Sequence, residues 1–227
     1  MRTRRGARIL QDDVVLSEIL ARPGPTDTLF DVLAACGAML SPGPRMALLG
    51  FAGGGVVAPM RGMGFGDPID AVDLSRDGEA IFRELSEPWA GAVRLYESEA
   101  SKWLRRKKAR YDFILEDLSY PAEDGVTKPE VSYEVMPDLI RNALSRNGVA
   151  LYNLLDVPGM SWRELYEKVT APFSRARLIT LDDWENRLVL VGDRLDSAWK
   201  ISRRLRHALS YLGSNQAGAF TVRTLRI

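Results

Sequence analysis

The chain has 227 residues, 46% of them hydrophobic and 27% charged, with a net charge of +1. That suits a soluble α/β domain with additions, large enough to bury a full core without staples. The near-neutral charge leaves no field to gather nucleic acid or membrane; one cysteine, Cys36, excludes an intramolecular disulfide; one histidine, His207, removes multi-histidine zinc sites and counts against a histidine triad. No apolar run approaches the thickness of a bilayer. The basic start, MRTRRGARIL, is not followed by the apolar stretch and small-residue cleavage site of a secretory leader, so a cytoplasmic location is expected. Chemistry is expected from carboxylates, hydroxyls and bound cofactors, with no metal site.

Residues 7–22 read as two short strands around a polar turn, Gln11-Asp12-Asp13. Residues 23–28, PGPTDT, are a loop with a helix N-cap at Thr26 or Asp27, and Leu29, Val32, Leu33, Ala35, Cys36 and Leu40 form the apolar face of the helix that follows. Ser41-Pro42-Gly43-Pro44 ends it. Beyond the central stretch 45–73, residues 75–85 suit a helix capped by Ser75 with Ile81, Phe82 and Leu85 inward, 91–96 a strand, and 98–108 a helix packing Ala100, Trp103 and Leu104. Its tail, Arg105 to Lys108, reads as a solvated helix end. A strand at 111–117 leads to a loop of roughly a dozen residues, a length that often marks a lid. A helix over 132–145 with Met136, Leu139, Ile140 and Leu144 on one side, ended by Asn147-Gly148, precedes a strand at 149–155, a helix at 161–171 and a strand pair at 176–181 and 187–192. Residues 196–212 form a basic amphipathic helix, with Ile201, Leu205, Ala208 and Leu209 inward, that docks on the domain or on a second subunit. His207 sits on it as a solvated residue. AFTVRTLRI at the end alternates like an edge strand. The alternation of elements predicts an α/β fold: a twisted, mostly parallel, seven-stranded Rossmann-like sheet with helices on both faces, a short N-terminal hairpin and a C-terminal helical extension. The expected parts are 1–28, 29–194 and 195–227.

The stretch RMALLGFAGGGVVAPMRGMGFGDPIDAVD, residues 45–73, carries the chemistry. An apolar strand, Met46 to Leu49, meets Gly50, Gly53, Gly54 and Gly55, then an apolar helix start from Val56, then a second strand, Ile69 to Val72, ending on Asp73. A glycine turn lets a ligand approach the backbone near a helix N-terminus, and a carboxylate at the next strand's tip takes ribose hydroxyls. GFAGGG does not match G-x-G-x-x-G, since Ala52 takes the second glycine's place, and no Tyr-x-x-x-Lys or histidine acid follows; a nicotinamide oxidoreductase is the weaker reading.

Four blocks resemble the spermidine synthase family of aminopropyltransferases, which has the class I methyltransferase fold, over roughly residues 8–193. ALLGFAGGGVVAPM is similar to the nucleoside-binding glycine loop, AVDLS to the ribose-binding strand end, SEASKWL to the segment whose acid sits beside the adenine amino group, and YDFILEDLSYP to the strand-four motif. ILQDDVVLSE resembles the family's N-terminal hairpin. The resemblance implies cofactor contacts from Gly50, Ala52, Gly53, Gly54, Asp73, Leu74, Glu99, Ala100 and Asp117, with Glu99 at adenine and Asp117 near the reacting carbon. It implies S-adenosylmethionine or its decarboxylated form as donor, methylthioadenosine or S-adenosylhomocysteine as product, a small-molecule acceptor with amines among the candidates, no nucleic acid partner, no membrane span, and a homodimer.

The chain also departs from the family. The second strand-four acid, which deprotonates the attacking amine, is Tyr120 here, whose ordinary pKa of about 10 makes a poor base; Tyr120 and its loop are left to shape the acceptor pocket. Gly53 stands where the loop usually holds an acid, Leu16 where the hairpin holds a glutamine, and Leu29 or Phe30 where a tyrosine is usual. The expectation is a transferase on this scaffold that is not a standard spermidine synthase, with a non-catalytic interaction module as the alternative.

Overall fold

The structure is a computed structural model that describes residues 1–11, 14–122 and 125–226. Strands β1 (Gly6–Gln11) and β2 (Val14–Leu20) form an antiparallel hairpin with Gly6 opposite Leu20. The turn expected there falls on Asp12 and Asp13, outside the described residues.

Helix α1 (Leu29–Leu40) is capped by Thr28, whose hydroxyl accepts from the Phe30 amide. Thr26 and Asp27, the expected caps, serve another purpose. Their amides donate to Asp31 at 2.8 and 2.9 Å. Asp31 is fully buried and also accepts from the hydroxyls of Thr26 (2.7 Å) and Ser214 (2.6 Å). A carboxylate survives in a core only when its oxygens are supplied with donors, and these four supply it. Val32, Leu33, Ala35 and Cys36 are buried as expected, while Leu40 is half-buried. Burial pushes the Cys36 thiol far above its usual range, so it packs as a hydrophobe.

The core unit follows as β3 (Met46–Leu49), α2 (Val57–Gly62), β4 (Ile69–Asp73), α3 (Glu79–Ser86), β5 (Val93–Glu97), α4 (Ala100–Arg106) and β6 (Tyr111–Glu116). The helix expected from Ser75 starts four residues later. The Ser75 hydroxyl accepts from the Asp77 amide in a tight turn, and Gly78 lies against the Ala52 carbonyl with no room for a Cβ, which holds 74–78 out of helix. The charge run after α4 is solvated except at Lys107. Its ammonium lies 4.0 Å from the Tyr96 ring centroid and 4.5 Å from that of Trp103, an attraction of cation to π-face that periodicity does not reveal.

The stretch after β6, expected as a lid-like loop, contains a second hairpin, β7 (Tyr120–Ala122) and β8 (Gly125–Thr127). Its stem is fixed by Lys128, whose buried ammonium reaches Glu116 at 2.8 Å and the Leu118 carbonyl at 2.6 Å; Ser132 donates to the other Glu116 oxygen at 2.7 Å. The expected helix over 132–145 is two, α5 (Glu130–Glu134) and α6 (Met136–Ala143), broken at Val135 because Pro137 has no amide to continue the ladder. Leu144 to Asn147 belong to β9 (Leu144–Leu154), so Asn147-Gly148 sits inside a strand. Helix α7 (Trp162–Thr170), strands β10 (Arg175–Leu181) and β11 (Arg187–Gly192), helix α8 (Ala198–Leu212) and strand β12 (Phe220–Leu225) complete the chain. His207 is exposed on α8.

Among the described residues the main sheet has the order β12-β10-β11-β9-β6-β3-β4-β5, eight strands where seven were expected, because the terminal strand pairs on β10. Strands β9, β6, β3, β4 and β5 run parallel, and β11 turns back against β9. Alternate residues feed two cores: Met46 and Leu48 pack with α1, α2, α3 and α8, while Ala47 and Leu49 pack with α4, α6 and α7. From β3 the chain winds outward through β4 and β5, then returns to start β6 on the other side. The crevice between β3 and β6 is therefore the switch point where such sheets bind ligands, outside the carboxyl ends of the strands.

Candidate functional site

A cavity of 760 Å³ occupies that position. Its floor is the strand ends: Gly50 after β3, Asp73 on β4, Ser98 after β5, Asp117 after β6 and Asn153 on β9. Each strand brings a residue at or just past its carboxyl end into the same crevice because the strands run parallel. The β1–β2 hairpin roofs one side, and Trp184, Glu185 and Asn186, between β10 and β11, close the other.

Gly50 makes the turn. Its φ is +89°, and a Cβ would come within 2.5 Å of the Asp117 carbonyl, so only glycine fits between the two strand ends. Ala52 stands at φ +48°, a left-handed conformation that costs a non-glycine residue energy. Asp73 holds this loop in place. One of its oxygens accepts from the Phe51 and Ala52 amides at 2.7 and 2.8 Å; the other accepts, among the described residues, only from the Ser75 amide, at 3.3 Å. The carboxylate is thus half committed to the loop and half open to the cavity.

Asp117 lies at the centre. Burial pushes its pKa up to about 6, and the charges of Glu116 and Asp73 add to the rise; Lys128 and a 2.7 Å hydrogen bond from the Asn153 amide oppose it. Asn153 in turn accepts from Asn186 at 2.9 Å. The result is an acid poised to exchange a proton near neutrality, oriented by a chain of two amides.

Of the residues expected at a site, Gly50, Ala52, Asp73, Leu74, Ala100 and Asp117 are brought together on the cavity wall. Leu16, Leu29 and Phe30 join them. Four are not. Gly53 lies beneath the side chains of Ile9 and Ile19, and Gly54 beneath the rings of Phe51 and Phe82, so both are packed rather than open. Glu99 turns its carboxylate away, to the Ser101 hydroxyl and to Lys102 at 3.0 Å, and these partners hold its pKa low. Tyr120 starts β7 and is 48% exposed outside the cavity; Leu118, Ser119 and Val126 of the same segment line the wall instead. Sequence reasoning missed Arg8, Glu18, Asn153, Trp184 and Asn186. Asn153 alone left a mark, a polar residue inside the apolar run VALYNLL.

No protein-family model and no curated protein matches the chain by sequence. Solved structures do match. A probable spermidine synthase from Corynebacterium glutamicum superposes with a TM-score of 0.71 at 14% identity, over 97% of this chain and 85% of that one. The fold is the class I methyltransferase fold. Human methyltransferase-like protein 13, solved with S-adenosylhomocysteine, shares this methyltransferase fold with a TM-score of 0.62 at 12% identity, over 82% of this chain and 90% of its own. The spermidine synthase of Thermotoga maritima follows at 0.59 and 15%, over 76% of this chain and 62% of that one. No described helix is long and apolar enough to cross a membrane.

Proposed function

We propose that the chain binds S-adenosylmethionine, its decarboxylated form or a related thionucleoside, and transfers an alkyl group, methyl or aminopropyl, to a small acceptor. One observation carries this reading: a single cavity at the switch point joins an open carboxylate oxygen of Asp73 to the raised carboxyl of Asp117. The ribose takes the free Asp73 oxygen, the adenine lies toward Ala100 and Leu74, and the sulfur sits above Gly50. The acceptor occupies the far half, walled by Leu118, Val126, Leu155 and Trp184, which suits an acceptor with an apolar body beside its nucleophile. The protein's part is alignment and exclusion of water for an in-line displacement at the sulfonium carbon, with Asp117 receiving the acceptor's proton. Calorimetry with S-adenosylmethionine, decarboxylated S-adenosylmethionine and methylthioadenosine tests it. Heat from at least one, lost in Asp73→Ala, is expected; no heat from any of the three rejects the reading.

A second reading, a scaffold without catalysis, is favoured by the half-committed Asp73 and by Tyr120 lying outside the cavity. Under it, cells carrying Asp73→Ala show no phenotype; a phenotype equal to deletion counts against it.

A further inference from the structure

Arg8 and Glu18 face each other across the β1–β2 hairpin and both line the cavity. The hairpin is fastened to the glycine loop around them. Ile9 and Ile19 cover Gly53, and the Ser17 hydroxyl accepts from the Gly55 amide at 2.9 Å. Glu18 is only 4% exposed, yet its ion pair is slack. Arg8 Nη2 stands 3.5 Å from each of the two Glu18 oxygens, and Arg8 Nε is buried without an acceptor among the described residues. Both separations lie beyond a normal charge-assisted bond, and a buried donor left unpaired is unfavourable.

The same molecule shows what that edge of a guanidinium does when satisfied. Arg45 grips Asp112 through Nε and Nη2 at 3.1 and 3.2 Å, two-pronged. On Arg8 the same edge is only loosely engaged: Nη2 is shared at 3.5 Å between the two Glu18 oxygens, and Nε has no acceptor among the described residues. Beside it stands a buried carboxylate that accepts from no other donor among the described residues. A guanidinium fork next to a carboxylate is complementary to the zwitterion of an α-amino acid.

On the reading above, a nucleoside lies with its ribose at Asp73 and its adenine at the β5 end, so the arm beyond sulfur leads away from adenine, under the hairpin. We propose that Arg8 and Glu18 clasp the amino-acid end of the donor: the Arg8 fork takes the α-carboxylate and Glu18 the α-ammonium. The inference rests on the proposed function and sharpens it. A donor that keeps its carboxylate is S-adenosylmethionine rather than its decarboxylated form, and with the amino-acid arm held the group in flight is the methyl. The acceptor's lone pair forms the new bond to the methyl carbon, sulfur keeps the electron pair of the bond that breaks, and the acceptor's proton passes to Asp117.

Binding decides it without a turnover assay. S-adenosylhomocysteine and methylthioadenosine share nucleoside and sulfur, and only the first carries the amino acid. By calorimetry the wild-type chain binds S-adenosylhomocysteine about 10- to 100-fold more tightly, and Arg8→Gln loses most of that advantage while its affinity for methylthioadenosine is unchanged. Retained methylthioadenosine binding also shows that the variant is folded. Equal affinity of the wild-type chain for the two compounds, or an equal loss of both in Arg8→Gln, overturns the clasp and leaves the proposed function standing. Failure of both compounds to bind the wild-type chain removes the clasp together with that function.

Discussion

Asp117 is disfavoured as an anion by its burial, so folding prefers it protonated. Its folded pKa of about 6 lies above the ordinary 3.8, and the native state therefore holds a proton that the unfolded chain has released. This contribution to stability is fully present below about pH 4, is lost as pH rises through about 6, and stays lost above it. Asp117→Asn keeps an acceptor for Asn153 and removes the titration. The variant should be more stable than the wild-type chain at pH 8 by about 1–2 kcal/mol, a figure discounted for the part of the side chain that water reaches, and equal to it near pH 4. Urea unfolding of both proteins at the two pH values reads this directly; a difference that does not change with pH rejects it.

The hairpin after β6 shows what a buried ion pair does for an element. Lys128 and Glu116 are both fully buried, and removing either partner strands the other. Lys128→Met should cost about 3–5 kcal/mol by urea midpoint and should expose residues 118–129 to limited proteolysis, while Lys128→Met with Glu116→Gln should recover part of the loss. A single variant as stable as wild type would show that the pair holds nothing. Nothing in LSYPAEDGVTKPE marks this tie, because Lys128 and Glu116 are twelve positions apart and meet only through the fold. What could be read from the chain followed period and punctuation: the strand ends at Gly50, Asp73 and Asp117, the inward faces of α1 and α8, and the closing strand pair. What could not be read depended on side-chain direction. Glu99 sits in the expected segment but bonds to its own helix, and Gly53 and Gly54 meet packed side chains where a ligand was expected. The carboxamide of Asn153 meets Asp117, and that of Asn186 meets Asn153, across the ends of β6, β9 and β11, a juxtaposition set by strand order rather than by any motif.

At the scale of the molecule, the segment that enters α1 and the segment that leaves α8 meet at one place. The loop before α1 is bonded to Ser214 through Asp31 and to the Asn215 amide through Asp27, and β12 covers the edge of β10 with Phe220 fully buried. Ending the chain at Gly213 should uncover the β10 edge and the Phe220 pocket, and withdraw one of four donors from Asp31. Burial of the Phe220 side chain alone is worth about 1.5–3 kcal/mol. The shortened protein should melt well below the full chain and associate on size exclusion; an unchanged melting curve would show that the tail is dispensable. The same knot has a bearing on the cavity. Thr28, Leu29 and Phe30 belong to the cavity wall, and the aspartate that shapes their approach accepts a hydroxyl from residue 214. A polypeptide stopped short of Ser214 should keep the glycine turn and Asp73 but leave this part of the rim tethered through Asp31 by three donors in place of four.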